Sequence, residues 1–298
     1  MATRQSAELA LQIATGTLFG TLIVPSSAKA AALIVAGSGP TDRDGNGPYG
    51  RNDGLKLLAE ALAARGVATL RADKRGIGAS AGALVSETEL RIDDLVTDAV
   101  AWLNRLAEAL PETPRLLIGH SEGALIATIA AQRHAVRGLV LIAGLGRPAV
   151  EVMREQLRAA ALAPALLSEA EAILAALDAG RSVRDIPSAL QALFRPSVQP
   201  YLRSWFRLDP LSELAAVSVP TLVVQGDRDL QVPVSEAEIL ASPRDGTVLA
   251  IVDSMNHVLK AVPDDRDANL ASYNDPDLPL APGLVEAIDH FVGELLRD

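Results

Sequence analysis

The sequence predicts an α/β fold: a mostly parallel sheet with helices on both faces, interrupted once by a helical insert. Three observations predict it. Short strand-like runs, "AALIVAG" wholly apolar and "RLLIGH" and "VPTLVVQG" apolar at their centres, recur along the chain, as strands buried on both faces should. Segments of helical spacing alternate with them, and such alternation builds right-handed parallel units. Between residues 147 and 208 the alternation stops, and then it resumes. A chain of 298 residues with 49% hydrophobic content can bury a substantial core.

The elements come in order along the chain. "LQIATG" and "TLFGTLIVP" read as antiparallel strands and "AALIVAG" as the first parallel one. "LKLLAEALAARG" is an amphipathic helix stopped by Gly66. "VATLRAD" is a strand, and "RIDDLVTDAVAWLNRLAEAL" a long helix ended by Pro111. "RLLIGH", "EGALIATIAAQRH" and "VRGLVLIAG" give strand, helix and strand. Residues 147–208 read as several short helices, with Ser168 and Glu171 as a capping box and Gly180 as a stop. Pro187, Pro196 and Pro200 break up the second half of the insert. Then "VPTLVVQG", "VSEAEILA", "GTVLAIVD" and "GLVEAIDHFVGELLRD" restore the alternation. Residues 1–146 and 209–298 therefore form one core, and 147–208 an insertion.

Composition removes several function classes. A net charge of −10 argues against a nucleic-acid surface, which needs a basic stripe. With no cysteine, neither a disulfide framework nor a thiolate zinc site is available. No uncharged apolar stretch reaches the roughly 18 residues of a membrane span. Residues 1–16 show no signal-peptide pattern, so a cytoplasmic protein is expected.

"IGHSEGA", residues 118–124, comes after a strand and opens a helix. It is Gly-x-Ser-x-Gly in the strand–turn–helix setting of a nucleophile elbow. The serine needs a tight, strained turn, and its glycine neighbours must not crowd it. Ser121 is thus the candidate nucleophile, and the N–H of Glu122 at the helix start a candidate oxyanion donor. The serine needs a base, and the chain has four histidines. His120 is expected to point away from the elbow, His134 ends the following helix, and His290 lies within the last helix. His257, in the loop "DSMNHVLK" after the last strand, remains. "VVQGDRDLQVP" offers Asp227 or Asp229 to orient that imidazole.

The order Ser…Asp…His, on these elements, resembles the α/β-hydrolase superfamily over nearly the whole chain. The resemblance implies an α/β-hydrolase fold and a serine hydrolase that needs no cofactor. In that superfamily the acid stands in G-x-x-D-x-x-V-P, here Gly226, Asp229, Val232 and Pro233, which selects Asp229. It implies a second oxyanion N–H from the loop "VAGSGP": that of Ser38, with Gly39 as the alternative. "GSGPTDRDGNG" is similar to bacterial carboxylesterases with G-S-G-P-x-D-R-D here, which implies a small-molecule ester with a short acyl group as substrate. The insert would then be a cap over the sheet edge.

That loop has two other readings. Asp42, Asp44, Asn46, Gly47 and Asp53 fall at positions 1, 3, 5, 6 and 12 of an EF-hand loop. Position 12 wants the longer Glu, and a strand enters the loop where a helix should, so no metal is expected. Gly37-Ser38-Gly39 as a phosphate cradle lacks a third glycine, and Pro40 has no N–H to offer. Asp73, Arg75, Gly76 and Gly78 in "RADKRGIGAS" resemble the superfamily's D-x-R-G-x-G-x-S and read as a structural turn, with substrate contact the alternative. Four of the nine aromatic residues, Phe194, Tyr201, Trp205 and Phe206, fall in the insert. They form either an apolar wall for the substrate or packing between cap and core. A peptidase or amidase, and a catalytically silent binding protein, are the competing functions.

Overall fold

The structure is a computed structural model that describes residues 4–48, 50–242 and 246–297. Eight strands make one sheet in the order β1-β2-β4-β3-β5-β6-β7-β8. They are β1 (Arg4–Ile13), β2 (Gly16–Pro25), β3 (Ala30–Val35), β4 (Val67–Ala72), β5 (Arg115–His120), β6 (Gly138–Ile142), β7 (Thr221–Gly226) and β8 (Thr247–Val252). β1 pairs antiparallel with β2, and β2 with β4. The pairs from β4 to β8 are parallel.

The helices are α1 (Gly54–Ala64), α2 (Ile92–Ala109), α3 (Glu122–Arg133), α4 (Ala149–Ala159), α5 (Pro164–Asp178), α6 (Gln191–Phe194), α7 (Gln199–Trp205), α8 (Pro210–Ala215), α9 (Val234–Ala241), α10 (Arg266–Ala271) and α11 (Pro282–Leu295). The side-chain period of two in each strand feeds two cores. Ala31, Leu33 and Leu117 face the side packed by α2 and α3. Ala32, Ile34, Leu116 and Ile118 face the side packed by α1 and α11.

Two features place the candidate functional residues. From β3 the chain crosses to β4 on one side, and β5 lies on the other. The loops leaving β3 and β5 therefore diverge at a switch point, where open parallel sheets form their binding crevice. The second feature is the insert. Helical structure continues past residue 208 through α8, which packs on α3. Its second helix begins at Pro164, so Ser168 lies one turn inside α5 and caps nothing. Proline fits the first helical turn, where its missing N–H costs no hydrogen bond.

Candidate active site

Ser121 sits between β5 and α3 at φ 55°, ψ −123°, a region that costs an L-residue roughly 1–3 kcal/mol of strain. Close packing shows why both flanking glycines are required. A Cβ on Gly119 would lie 2.2 Å from the Gly123 carbonyl oxygen, and one on Gly123 would lie 2.3 Å from that of Val35. The strained serine is held from behind by its N–H, which donates to the Ile142 carbonyl at 2.8 Å.

His257 arrives from the loop after β8. Asn256 anchors this loop: its side chain accepts from the Lys260 N–H at 3.0 Å and donates to Ser272 Oγ at 2.6 Å and Asn269 Oδ1 at 3.0 Å. His257 Nδ1 lies 2.8 Å from Asp229 Oδ2. The other oxygen of Asp229 accepts from the N–H groups of Gln231 and Val232 at 2.8 and 2.9 Å. Burial alone would raise the Asp229 carboxyl; the His257 imidazole and the two N–H donors outweigh it and hold the group below its ordinary value. Asp227 instead faces Arg228 at 3.4 Å.

Ser121, His257, Gly37 and Ser38 line one cavity of about 260 Å³, whose walls include Leu55, Val258, Leu259 and Tyr273. Among the described residues no hydrogen bond takes the N–H of Ser38 or of Glu122. For Glu122 the reason is its place at the start of α3, where an amide has no intrahelical partner. Gly39 lines a neighbouring cavity of about 430 Å³ together with Lys74, Glu122 and Tyr201, and Pro40 borders both. Burial raises the Glu122 carboxyl, with Lys74 opposing, and it raises the Tyr201 phenol as well.

Two expectations need correction. His120 does not point away from the site. Its Nε2 lies 2.8 Å from the His257 carbonyl oxygen, and its ring lies 4.9 Å from the His257 ring. Strand alternation turns His120 from Ser121, but the His257 loop folds down onto it. The aromatic wall is also absent from the Ser121 cavity. Phe194, Trp205 and Phe206 are buried in the core on the α2–α3 side, and neither cavity is lined by them. Tyr201 alone reaches a cavity, the second one. Gln231, Leu55 and Tyr273, which no motif marked, stand at the first.

The loop after β3 is pinned by ion pairs and hydrogen bonds. Arg43 joins Asp73 at 2.9 Å to Glu8 at 2.7 Å, and Arg71 holds Asp44 at 2.7 Å. Arg51 pairs with Asp53 at 3.0 Å and, with the Asn46 amide, keeps that carboxyl low, at about 2. Asp42 turns inward to accept from the N–H groups of Asp44 and Asn46, both at 2.9 Å. The residues at EF-hand positions thus close the loop on itself. In the turn after β4, Asp73 also accepts from Ala79 N–H at 2.9 Å, and Arg75 grips Asp98 through two bonds of 2.7 and 2.6 Å. These bonds hold the turn in shape, and Lys74, Arg75 and Ile77 of the turn also line the second cavity.

Residues 52–192 match the family described as serine aminopeptidase, S33. The esterase EstD of Thermotoga maritima is 30% identical over 263 residues, which cover 83% of this chain and 59% of that protein. The chain thus spans about 59% of the length of this curated relative. Est1E from Butyrivibrio proteoclasticus, solved with ferulic acid, superposes with a TM-score of 0.66 at 18% identity over 97% of this chain and 100% of its own. A thermophilic esterase from Thermogutta terrifontis, solved with malate, gives 0.57 at 19% identity over 98% and 99%. With its eight-stranded sheet, its serine on a strained strand–helix turn and these likenesses, the chain has the α/β-hydrolase fold.

Proposed function

We propose that this protein is a serine carboxylesterase acting on small-molecule esters with short acyl groups, through Ser121, His257 and Asp229. The observation that carries this reading is the hydrogen bond from His257 to Asp229, with His257 lining the cavity that also holds the strained Ser121. Asp229 fixes the tautomer with hydrogen on Nδ1, which leaves Nε2 free to take the serine proton. Ser121 Oγ attacks the ester carbonyl, and the oxyanion accepts from the N–H groups of Ser38 and Glu122. His257 then returns the proton to the departing alcohol. Water, activated by the same imidazole, attacks the acyl-enzyme and restores the serine. No step calls for a cofactor.

The likeness to EstD supports an ester in preference to an amide, and a cavity of about 260 Å³ suits a short acyl group. Residues 147–208 serve in this reading as a cap that closes the second cavity through Tyr201, Ala192 and Val198. A peptidase is the second reading, favoured by the family match over residues 52–192. A panel of p-nitrophenyl esters of rising acyl length beside aminoacyl anilides separates the two. Turnover of the short esters, lost in Ser121→Ala, is expected; anilides cleaved faster than every ester would overturn the esterase reading.

A further inference from the structure

Lys74 stands in the turn after β4, in "ADKRG". Its ammonium donates to two carbonyl oxygens of the loop after β3, those of Gly37 and of Gly39, the latter at 2.7 Å. No other side chain of the described residues bonds these two carbonyls. The side chain lines the larger cavity and not the one that holds Ser121. Lys74 therefore grips the loop from the side opposite the candidate nucleophile.

A trans peptide unit is planar, with its carbonyl and its N–H on opposite edges. Fixing the Gly37 carbonyl toward Lys74 turns the Ser38 N–H the other way. That other side is the cavity lined by Gly37, Ser38, Ser121 and His257. Gly37 packs directly on the serine, since a Cβ there would lie 3.0 Å from Ser121 Cβ. The next peptide is locked as well, because Thr41 Oγ1 donates to the Ser38 carbonyl at 3.0 Å. Beside Lys74 stands Glu122, 3% exposed, with the Tyr201 phenol against its carboxyl. Burial pushes the Lys74 ammonium down from its ordinary value, and the field of Glu122 opposes that shift without outweighing it.

We propose that Lys74 is a positioning residue for the oxyanion hole: by holding the Gly37 and Gly39 carbonyls it aims the Ser38 N–H at the reacting carbonyl. The ammonium also lies behind the peptide it holds and draws electron density from it, which sharpens the N–H as a donor. Hydrophobic loop packing could keep the chain in place, but it could not fix which way a peptide plane faces.

This inference rests on the ester-hydrolase reading, and the experiment keeps the two apart. Ser121→Ala, Lys74→Met, Lys74→Gln and Lys74→Arg are compared with wild type on p-nitrophenyl acetate, with kcat, KM and melting temperature measured for each. Loss of one oxyanion donor costs on the order of 10²–10³ in kcat, and Lys74→Met should fall in that range with KM little changed. Lys74→Arg, whose fork can reach both carbonyls, should recover most of the loss, and Lys74→Gln, a neutral donor, part of it. Fluorophosphonate labelling of Ser121 should slow in the same order, since the phosphoryl oxygen occupies the same hole. If Lys74→Met keeps wild-type kcat, or if all three variants raise KM and lower the melting temperature together with no rescue by arginine, the proposal is wrong. If Ser121→Ala retains turnover, the ester-hydrolase reading itself fails, whatever Lys74 does.

Discussion

His120 Nε2 donates to the His257 carbonyl at 2.8 Å, so one histidine holds the backbone of the other. A carbonyl only accepts, so His120 carries its proton on Nε2. Burial, reinforced by the neighbouring His257, pushes His120 down to about 3, and it stays neutral at working pH. A histidine depressed in this way binds protons more readily in the unfolded chain. Its contribution to stability is therefore complete above about pH 6.5 and lost as pH falls toward about 3. Between pH 6.5 and 5 the loss should reach about 2 kcal/mol. Urea unfolding of wild type and His120→Gln across this range should show a shallower acid loss in the variant. Equal slopes would remove His120 as the cause.

Asp229 and Asp227 stand two residues apart, and only Asp229 reaches His257. Asp229→Asn should lower kcat on the order of 10⁴, because the imidazole then adopts the wrong tautomer. Asp227→Asn faces only a surface arginine and should stay within a few-fold. Steady-state kinetics of both variants on one short ester decide the matter; the reverse ranking would move the orienting role to Asp227.

Acyl preference should follow Leu55 and not Trp205. Leu55 lines the Ser121 cavity, whereas Trp205 is buried among Tyr201, Phe206 and the core beneath the insert. Rates should rise over the first few carbons, each methylene contributing about 0.8 kcal/mol. They should then fall steeply after about hexanoyl, where overpacking costs roughly 1–3 kcal/mol. Leu55→Ala should move the peak to longer chains. Trp205→Ala should cost about 3–5 kcal/mol of stability and leave the profile in place. A shifted profile in Trp205→Ala would restore the aromatic wall.

The loop after β3 should depend on Arg43 and not on a metal. Arg43 is 9% exposed and bridges Asp73 to Glu8 and Thr21. Arg43→Met removes the counter-charge of the buried Asp73 carboxylate, leaving it two backbone N–H donors, and should destabilise by about 3 kcal/mol. Chelator should change neither activity nor melting temperature, because the loop's carboxylates already bind arginines and backbone N–H groups. A calcium-dependent rise in melting temperature would revive the EF-hand reading of Asp42, Asp44, Asn46 and Asp53.

The features legible in the chain are local ones. Buried parallel strands demand unbroken apolar runs, so β3, β5, β6 and β7 can be read directly. The elbow is legible because Gly119 and Gly123 have no room for a side chain, and that requirement alone marks Ser121. Elimination among four histidines reaches His257, since a base needs a loop at the carboxyl edge of the sheet. Whatever depends on two distant segments meeting is set by tertiary packing. His120 and His257 are 137 positions apart, and strand alternation gives the direction of one side chain but not which loop will fold onto it. Phe194, Trp205 and Phe206 share a composition with pocket walls, and only packing distinguishes a wall from a core. Lys74, read along the chain, is one more residue of a structural turn. Its grip on Gly37 and Gly39 exists because β3 and β4 lie side by side in register, Leu33 beside Leu70 and Ile34 beside Arg71, and so bring their two exit loops together.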